Sequence, residues 1–299
     1  MKVTFICSGN TCRSPMAKVL FRKLLEQRNI NNIEVDSAGL ACYAGDEASS
    51  YAVSVMREHG LNLSDHRSKP CSPYDSDDGI FVCMTKSHRF ALQPYVSAQQ
   101  LKVLGNGIPD PYGGELDEYR ACAKQIEEAL PPLLKEIIRE NTGIVPMRAE
   151  QTEQIAEMEK ICFSTPWSQQ SLEEELTNPS AHFLVAEFEK QVVGYIGVLD
   201  ICGEADITNV AVLPAYRRCT IADKLLTQAV KEARERKDEF ITLEVRESNQ
   251  GAIALYTKHG FESVGLRKNF YTKPTESAVL MTKRFTAHGK DIQNEDTCH

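Results

Sequence analysis

No apolar run in the sequence approaches the roughly 18–20 residues that a membrane-spanning helix needs. Nor is there an excess of basic residues. With 34 Lys and Arg against 42 Asp and Glu, the formal net charge is −8, which argues against nucleic acid or an anionic membrane surface as a direct partner. The seven histidines show no metal-ligand spacing, and neither half of the chain calls for a metal. The ten cysteines are scattered without a disulfide framework, and the opening residues are too polar for a secretory leader. Both observations predict a cytoplasmic protein in a reducing compartment. No internal repeat and no Pro/Ser-rich spacer divides the chain. What is present is ordinary globular composition, 42% hydrophobic and 25% charged, over a length of 299 residues that suggests two domains.

The most informative stretch is the first: Met1-Lys-Val-Thr-Phe-Ile-Cys7-Ser-Gly-Asn-Thr-Cys-Arg13-Ser-Pro15. A strand-like apolar run stops at Cys7, and a polar loop with one glycine follows. Met16, Val19, Leu20, Leu24 and Leu25 then recur at helical spacing. Strand, tight loop and helix N-terminus turn backbone N–H groups toward one point, where an anion binds. A cysteine at the start of that loop sits where amide dipoles and an arginine stabilise a thiolate. Cradle, thiolate and arginine together read as phosphoryl transfer through a cysteinyl-phosphate.

These residues resemble the low-molecular-weight protein phosphatases, with their Cys-x5-Arg-Ser signature. The resemblance implies an α/β fold with a doubly wound parallel sheet over residues 1–141. It makes Cys7 the nucleophile and Arg13 the clamp on the phosphoryl oxygens. The loop of Ser8, Gly9, Asn10, Thr11 and Cys12 forms the phosphate cradle, and Ser14 supports the thiolate. Asn10, Ser37 and His66 match residues that hold this loop in shape. Cys12 is placed to close a reversible, protective disulfide with Cys7.

Further along, residues 33–39, 79–84 and 101–104 read as strands, and residues 47–59 and 115–139 as helices. The stretch Cys71-Ser-Pro-Tyr-Asp-Ser-Asp-Asp78 lacks the amphipathic helix the family would have there. Ile108-Pro-Asp110-Pro-Tyr112-Gly-Gly114 matches the family's acid loop, so Asp110 is expected to protonate the leaving group and then activate water. Members specific for tyrosine usually carry a branched aliphatic residue where this chain has Thr11. The hydroxyl resembles the protein-arginine phosphatases and favours phosphoarginine over phosphotyrosine.

The polar run ending at Gly143 reads as a helix stop, and residues 144–148 restart as a strand. Residues 149–163 form an amphipathic helix with Ile155, Met158, Ile161 and Cys162 inward, and a second helix runs to Leu176. Residues 182–186 and 191–198 read as a hairpin, and 204–212 as a further strand. A basic loop and a helix with Ala222, Leu225, Leu226, Ala229, Val230 and Ala233 on one face come next. Residues 231–239 read as a solvated helix end and residues 286–299 as a disordered tail.

This order resembles the GNAT acetyltransferases, an α+β fold over residues 144–285, and in detail the ribosomal-protein-alanine N-acetyltransferases. The matching stretches include Pro166-Trp167-Ser168, Asn209-Val-Ala-Val212, Leu243-Glu244-Val-Arg-Glu-Ser-Asn249 and Ala252-Ile-Ala-Leu-Tyr256. The resemblance implies acetyl-CoA as co-substrate and a protein N-terminus, such as that of a small-subunit ribosomal protein, as acceptor. Glu244 matches the general base and Tyr256 the general acid. Val210, Ala211, Val212, Arg217, Arg218, Cys219, Thr220, Ile221, Ala222, Asp223 and Asn249 match cofactor contacts. Thr220 stands where the family's pyrophosphate loop has its first glycine, and its Cβ restricts the backbone.

The resulting expectation is a bifunctional enzyme, a protein phosphatase fused to an N-terminal protein acetyltransferase. Two alternatives stay open: a tyrosine phosphatase carrying a non-catalytic coenzyme A-sensing module, and two independent enzymes in one chain.

Overall fold

The computed structural model describes residues 1–72 and 79–285. Pro73 and Tyr74, within the stretch expected to lack a helix, lie outside the described residues, as does the tail from residue 286. The chain divides into two compact units, Met1–Ile137 and Ile138–His299.

The first unit holds a four-stranded parallel sheet in the order β2-β1-β3-β4, from β1 (Lys2–Cys7), β2 (Glu34–Gly39), β3 (Gly79–Cys83) and β4 (Leu101–Val103). Alternate side chains of β1 enter opposite layers. Phe5 packs edge-on against Phe21 of α1 (Arg13–Gln27), with ring centroids 5.4 Å apart. Ile6 joins Phe81, Leu101 and Leu92, the last from α3 (Lys86–Leu92). A central strand buried on both faces is what a doubly wound sheet requires, and the expected fold class is the one observed. The remaining helices are α2 (Ser50–Glu58) and α4 (Leu116–Asn141). The short α3 was not foreseen.

Gly143 is not a helix stop. Helix α4 ends at Asn141 and β5 (Thr142–Pro146) begins at once, with Gly143 paired to Glu187 inside the strand. The Thr142 hydroxyl donates to the Ile138 carbonyl at 2.6 Å, closing the last turn in place of a glycine.

The second unit contains a seven-stranded sheet in the order β10-β11-β9-β8-β7-β6-β5. Its other strands are β6 (Ala181–Phe188), β7 (Gln191–Ile201), β8 (Glu204–Val212), β9 (Phe240–Arg246), β10 (Glu262–Thr272) and β11 (Thr275–Arg284). The β6–β7 hairpin turns on Glu189 and Lys190, both at positive φ (51° and 64°), as a two-residue turn matched to strand twist demands. A 3₁₀ turn at Ala149–Gln151 leads into α5 (Thr152–Cys162), and α6 (Gln169–Glu175) follows. Ile155, Met158 and Leu172 pack on Phe183, Val185 and Tyr195. Ile161 departs from expectation: it is 60% exposed, and Glu159 occupies the inward position instead, at 0%. Helix α7 (Ile221–Arg236) buries Leu225, Leu226, Ala229, Val230 and Ala233 as expected, with Ile221 buried and Ala222 only half-buried at its start, and α8 (Gln250–Lys258) completes the unit. The end of α7 is less solvated than predicted, because Asp238 is buried and accepts from Arg236 at 2.9 Å.

All strand pairs of this sheet are antiparallel except β8 with β9. That parallel pairing covers only Glu204 to Ile207 against Phe240 to Leu243, whereas β8 stays paired with β7 through Val212. The two central strands therefore part company just before Glu244.

Candidate active sites

Cys7 is the last residue of β1, and the loop after it is tied down from several sides. Its Sγ lies 3.0 Å from Ser14 Oγ, and the Asn10 amide donates to it at 3.2 Å. Asn10 is fully buried at positive φ (52°), a conformation asparagine tolerates. Its side-chain amide donates to Ser14 Oγ (2.9 Å) and Ser37 Oγ (3.0 Å), and its Oδ1 accepts from the Lys69 amide (3.0 Å). The His66 ring reaches the Asn10 carbonyl at 2.7 Å. Burial lowers the His66 pKa, against the pull of that bond. Gly39, paired with Cys7 in the sheet, admits the loop closely: a Cβ there would stand 2.7 Å from the Ser8 carbonyl oxygen.

Arg13 opens α1 and is 4% exposed. It donates to the Ile108 carbonyl at 3.2 Å and forms an ion pair with Asp110. A cleft of about 450 Å³ is lined by Cys7, Ser8, Thr11, Arg13, Asp110 and Tyr112, among others. Gly9 and Cys12 also border it. The Cys12 thiol lies 3.5 Å from the Tyr119 hydroxyl, whose pKa is pushed up to about 12 by burial and by that contact. Six of the eight loop residues named from sequence thus line one concavity with Asp110, while Asn10 and Ser14 are buried behind the loop and bond to it from within. Sequence reasoning missed His88, which is 7% exposed with Nε2 3.0 Å from Ser8 Oγ. Thr85, an N-cap residue three positions before it, was the available signal.

In the second unit the chemistry gathers where β8 and β9 separate. Val210, Ala211 and Val212 lie on the free stretch of β8, and Glu244 follows the last paired residue of β9. The Glu244 carboxylate takes Arg267 of β10 at 2.6 Å and keeps 19% side-chain exposure. Asp206, which sequence reasoning passed over, lies near enough that Glu244 affects its titration. Burial and the Glu244 charge raise its pKa, with Arg267 opposing. Tyr256 of α8 is buried against Phe261, and burial holds its phenol well above the ordinary value. Asn249 caps α8, its Oδ1 accepting from the Ala252 amide at 3.2 Å.

The loop from Arg217 to Thr220 leads directly into α7, whose first turn contains Ile221, Ala222 and Asp223. Thr220 is its N-cap in the left-handed region (φ 63°, ψ 12°), and Arg218 is also left-handed (φ 64°). The backbone keeps the glycine-like shape although the residue is threonine. The Arg217 guanidinium turns back onto the Val212 carbonyl (3.1 Å), Cys219 is buried, and Asp223 holds Lys258 and His259 of the α8 end. The side chains of Arg217 and Asp223 are thus engaged within the protein, so an anion at this loop would meet backbone amides and the exposed Arg218 side chain. Free amides at a helix start and an unpaired strand edge suit a pyrophosphate with an extended amide-bearing arm. Glu159 was also missed: its carboxylate accepts from Asn209 Nδ2 (3.1 Å), the Trp167 amide (2.9 Å) and the Tyr195 hydroxyl. A lone carboxylate on an otherwise apolar helical stripe was its sequence signal.

Comparison with known proteins divides the chain in the same way. Residues 2–143 match the family described as low molecular weight phosphotyrosine protein phosphatase, and residues 152–261 the acetyltransferase (GNAT) family. A protein-arginine-phosphatase of Bacillus subtilis (strain 168) is 33% identical over 153 residues, covering 46% of this chain and 97% of that protein. The low molecular weight protein-tyrosine-phosphatase PtpB of Staphylococcus haemolyticus is 32% identical over 134 residues, 42% of this chain and 92% of its own. A B. subtilis protein provisionally named ribosomal protein bS18-alanine N-acetyltransferase is 39% identical over 136 residues, 45% of this chain and 90% of its own. With its two units each matching one such family, this chain is an enzyme that belongs to the low molecular weight protein phosphatases in its first half and to the GNAT acetyltransferases in its second.

Proposed function

We propose that the first domain, residues 1–141, hydrolyses protein phosphoarginine through a cysteinyl-phosphate. The observation that carries the chemistry is the Cys7 sulfur, held between the Asn10 amide and Ser14 Oγ and facing the Arg13–Asp110 pair. Cys7 attacks phosphorus, the N–H groups of residues 8–13 and the Arg13 fork take the three phosphoryl oxygens, and Asp110 protonates the departing atom. A phosphoryl group that takes over Arg13 frees the Asp110 carboxyl for this step. The same carboxylate then draws a proton from water as it attacks the Cys7–phosphorus bond and frees the thiolate. Thr11 on the cleft wall supports phosphoarginine over phosphotyrosine, since its hydroxyl offers a partner to guanidinium N–H groups. Turnover of phosphoarginine and phosphotyrosine peptides by wild type and Thr11→Ile tests this. An unchanged substrate ratio removes the argument from Thr11.

We infer that the second domain, residues 144–285, acetylates a protein N-terminus, with a ribosomal protein as acceptor class. Val210 to Val212 and the amides around Thr220 would hold acetyl-CoA, which supplies the activated acetyl group. Glu244 takes the proton of the acceptor ammonium, directly or through water, and Tyr256 keeps the proton that the leaving thiolate needs. The burial that keeps Tyr256 protonated supports this division of labour. Acetylation of N-terminal alanine peptides by wild type, Glu244→Gln and Tyr256→Phe is the test. Loss of detectable transfer in wild type and in Thr220→Gly alike would favour a coenzyme A-sensing module instead. That module requires acetyl-CoA to change the phosphatase rate. A free thiol nucleophile fits the cytoplasm.

A further inference from the structure

His88 stands behind the phosphate loop, and the reaction described above gives it no task. It is 7% exposed, with Nε2 3.0 Å from Ser8 Oγ and Nδ1 3.0 Å from Thr85 Oγ1. Thr85 Oγ1 already accepts from the His88 amide as the cap of α3, and it lies 2.8 Å from Ser87 Oγ. Burial and the Arg13 charge lower the His88 pKa, with Asp110 opposing, so the ring is neutral at pH 7 and has one donor and one acceptor nitrogen. A consistent relay follows when Thr85 passes its own proton to the exposed Ser87. Nδ1–H then donates to Thr85, Nε2 accepts, and the Ser8 O–H donates to Nε2. Ser8 lines the cleft and is exposed, and in this relay it offers the cleft lone pairs only.

We propose that Ser8 and His88 form a second reader of the substrate, in which neutral His88 Nε2 accepts the hydrogen bond of the Ser8 O–H, so that the Ser8 oxygen lone pairs accept from a guanidinium N–H beside the phosphoryl group. The proposal rests on the phosphoarginine reading and extends it to a residue on the opposite end of the loop from Arg13. A phosphoguanidinium carries several N–H donors near phosphorus, and each that enters the cleft needs an acceptor. A phenyl phosphate has none there, so it gains nothing from Ser8 lone pairs. His88 acts through Ser8 and is a positioning residue.

The test is the ratio of kcat/KM for a phosphoarginine peptide to that for the matching phosphotyrosine peptide. Ser8→Ala should lower this ratio about tenfold or more, the scale of one hydrogen bond to a charged group. His88→Ala should lower it similarly, and the double variant no further. His88→Gln, whose amide oxygen can accept the Ser8 proton, should recover part of it. In wild type the ratio should fall as pH drops through the lowered His88 pKa, because imidazolium donates at both nitrogens and turns the Ser8 proton into the cleft. Arg13 and Asp110, the charged groups facing His88, serve both substrates and largely cancel in the ratio. That pH dependence should vanish in His88→Gln. A ratio unchanged by Ser8→Ala, or flat with pH in wild type, overturns the proposal while leaving the phosphoarginine reading intact. Wild type that turns over phosphotyrosine and no phosphoarginine overturns both.

Discussion

Arg13 and Asp110, 97 positions apart in the chain, meet as an ion pair in which the arginine side chain is 5% exposed and the aspartate 47%. The group that would clamp the phosphoryl oxygens is thus occupied by the group that would protonate the leaving atom. Any oxyanion entering the cleft competes with Asp110 for the same guanidinium.

Asp110→Asn should therefore separate binding from catalysis. Removing the competing carboxylate should tighten inhibition by inorganic phosphate several-fold, while kcat falls by about 10²–10⁴, the usual worth of a positioned acid–base group. Inhibition constants and single-turnover rates measured on one preparation check this. Weaker phosphate binding in the variant would show that the pair orients Arg13 rather than competing for it.

Thr220→Gly should stabilise the second unit by about 1 kcal/mol, because a side chain in the left-handed region costs that much or more. The Thr220 hydroxyl bond to the Cys219 carbonyl, 2.7 Å, offsets part of this strain. Chemical unfolding followed by a probe in the second unit reads the change. Coenzyme A affinity, measured by calorimetry, should rise as well, since no Cβ then crowds the amides of the loop.

Glu244→Gln should lower kcat for acetyl transfer by about 10²–10⁴ with a smaller change in KM. The contact with Arg267 is retained by the amide oxygen, so folding should be unaffected. Equal loss in KM and kcat would assign Glu244 to acceptor binding alone.

Acid should weaken the first unit in two windows. His66 and His88 are held neutral by burial, so their folded pKa values lie below the unfolded one. The stability they confer is complete above about 6.5 and is lost as pH falls through the lowered folded values. Burial works against the Asp36 carboxylate, yet Lys69, the Ser37 amide and Lys18 together hold its pKa far below the usual range. Its contribution is present above about 3.9 and disappears only at lower pH. Denaturation midpoints between pH 7 and 5 should decline in wild type and flatten in His66→Gln.

Peroxide should inactivate the phosphatase reversibly. The Cys7 thiolate oxidised to a sulfenic acid is open to attack by the Cys12 thiol, giving a disulfide and water. Thiol treatment should then restore wild type but not Cys12→Ser. Equal recovery in both would remove Cys12 from this role.

Much of this was legible in the residues. Strand β8 has the limits read from the sequence, and the strand, loop and helix read around Cys7 to Arg13 form there. What escaped was of two kinds. Helix α3 spans seven residues, too few for helical periodicity to register, so His88 was passed over. Glu159 and Asp206 acquire their settings only through distant partners, Tyr195, Asn209 and Glu244. Ile161 and Glu159 are two residues apart on α5; the lone carboxylate on the helical stripe was the only local sign, and the choice of which turns inward is made by the donors of Trp167, Tyr195 and Asn209.

The early parting of β8 from β9 has a further consequence for the protein without a bound ligand. A strand that stands fourth of seven in the sheet carries, along Val210 and Ala211, a side without a strand neighbour, usually found only on an outermost strand, and the Val212 carbonyl beyond them is taken by Arg217. Outermost strands invite pairing with foreign chains. A pantetheine arm laid along it would complete the sheet from within. Ligand supply would then govern the aggregation of the second unit as well as its turnover.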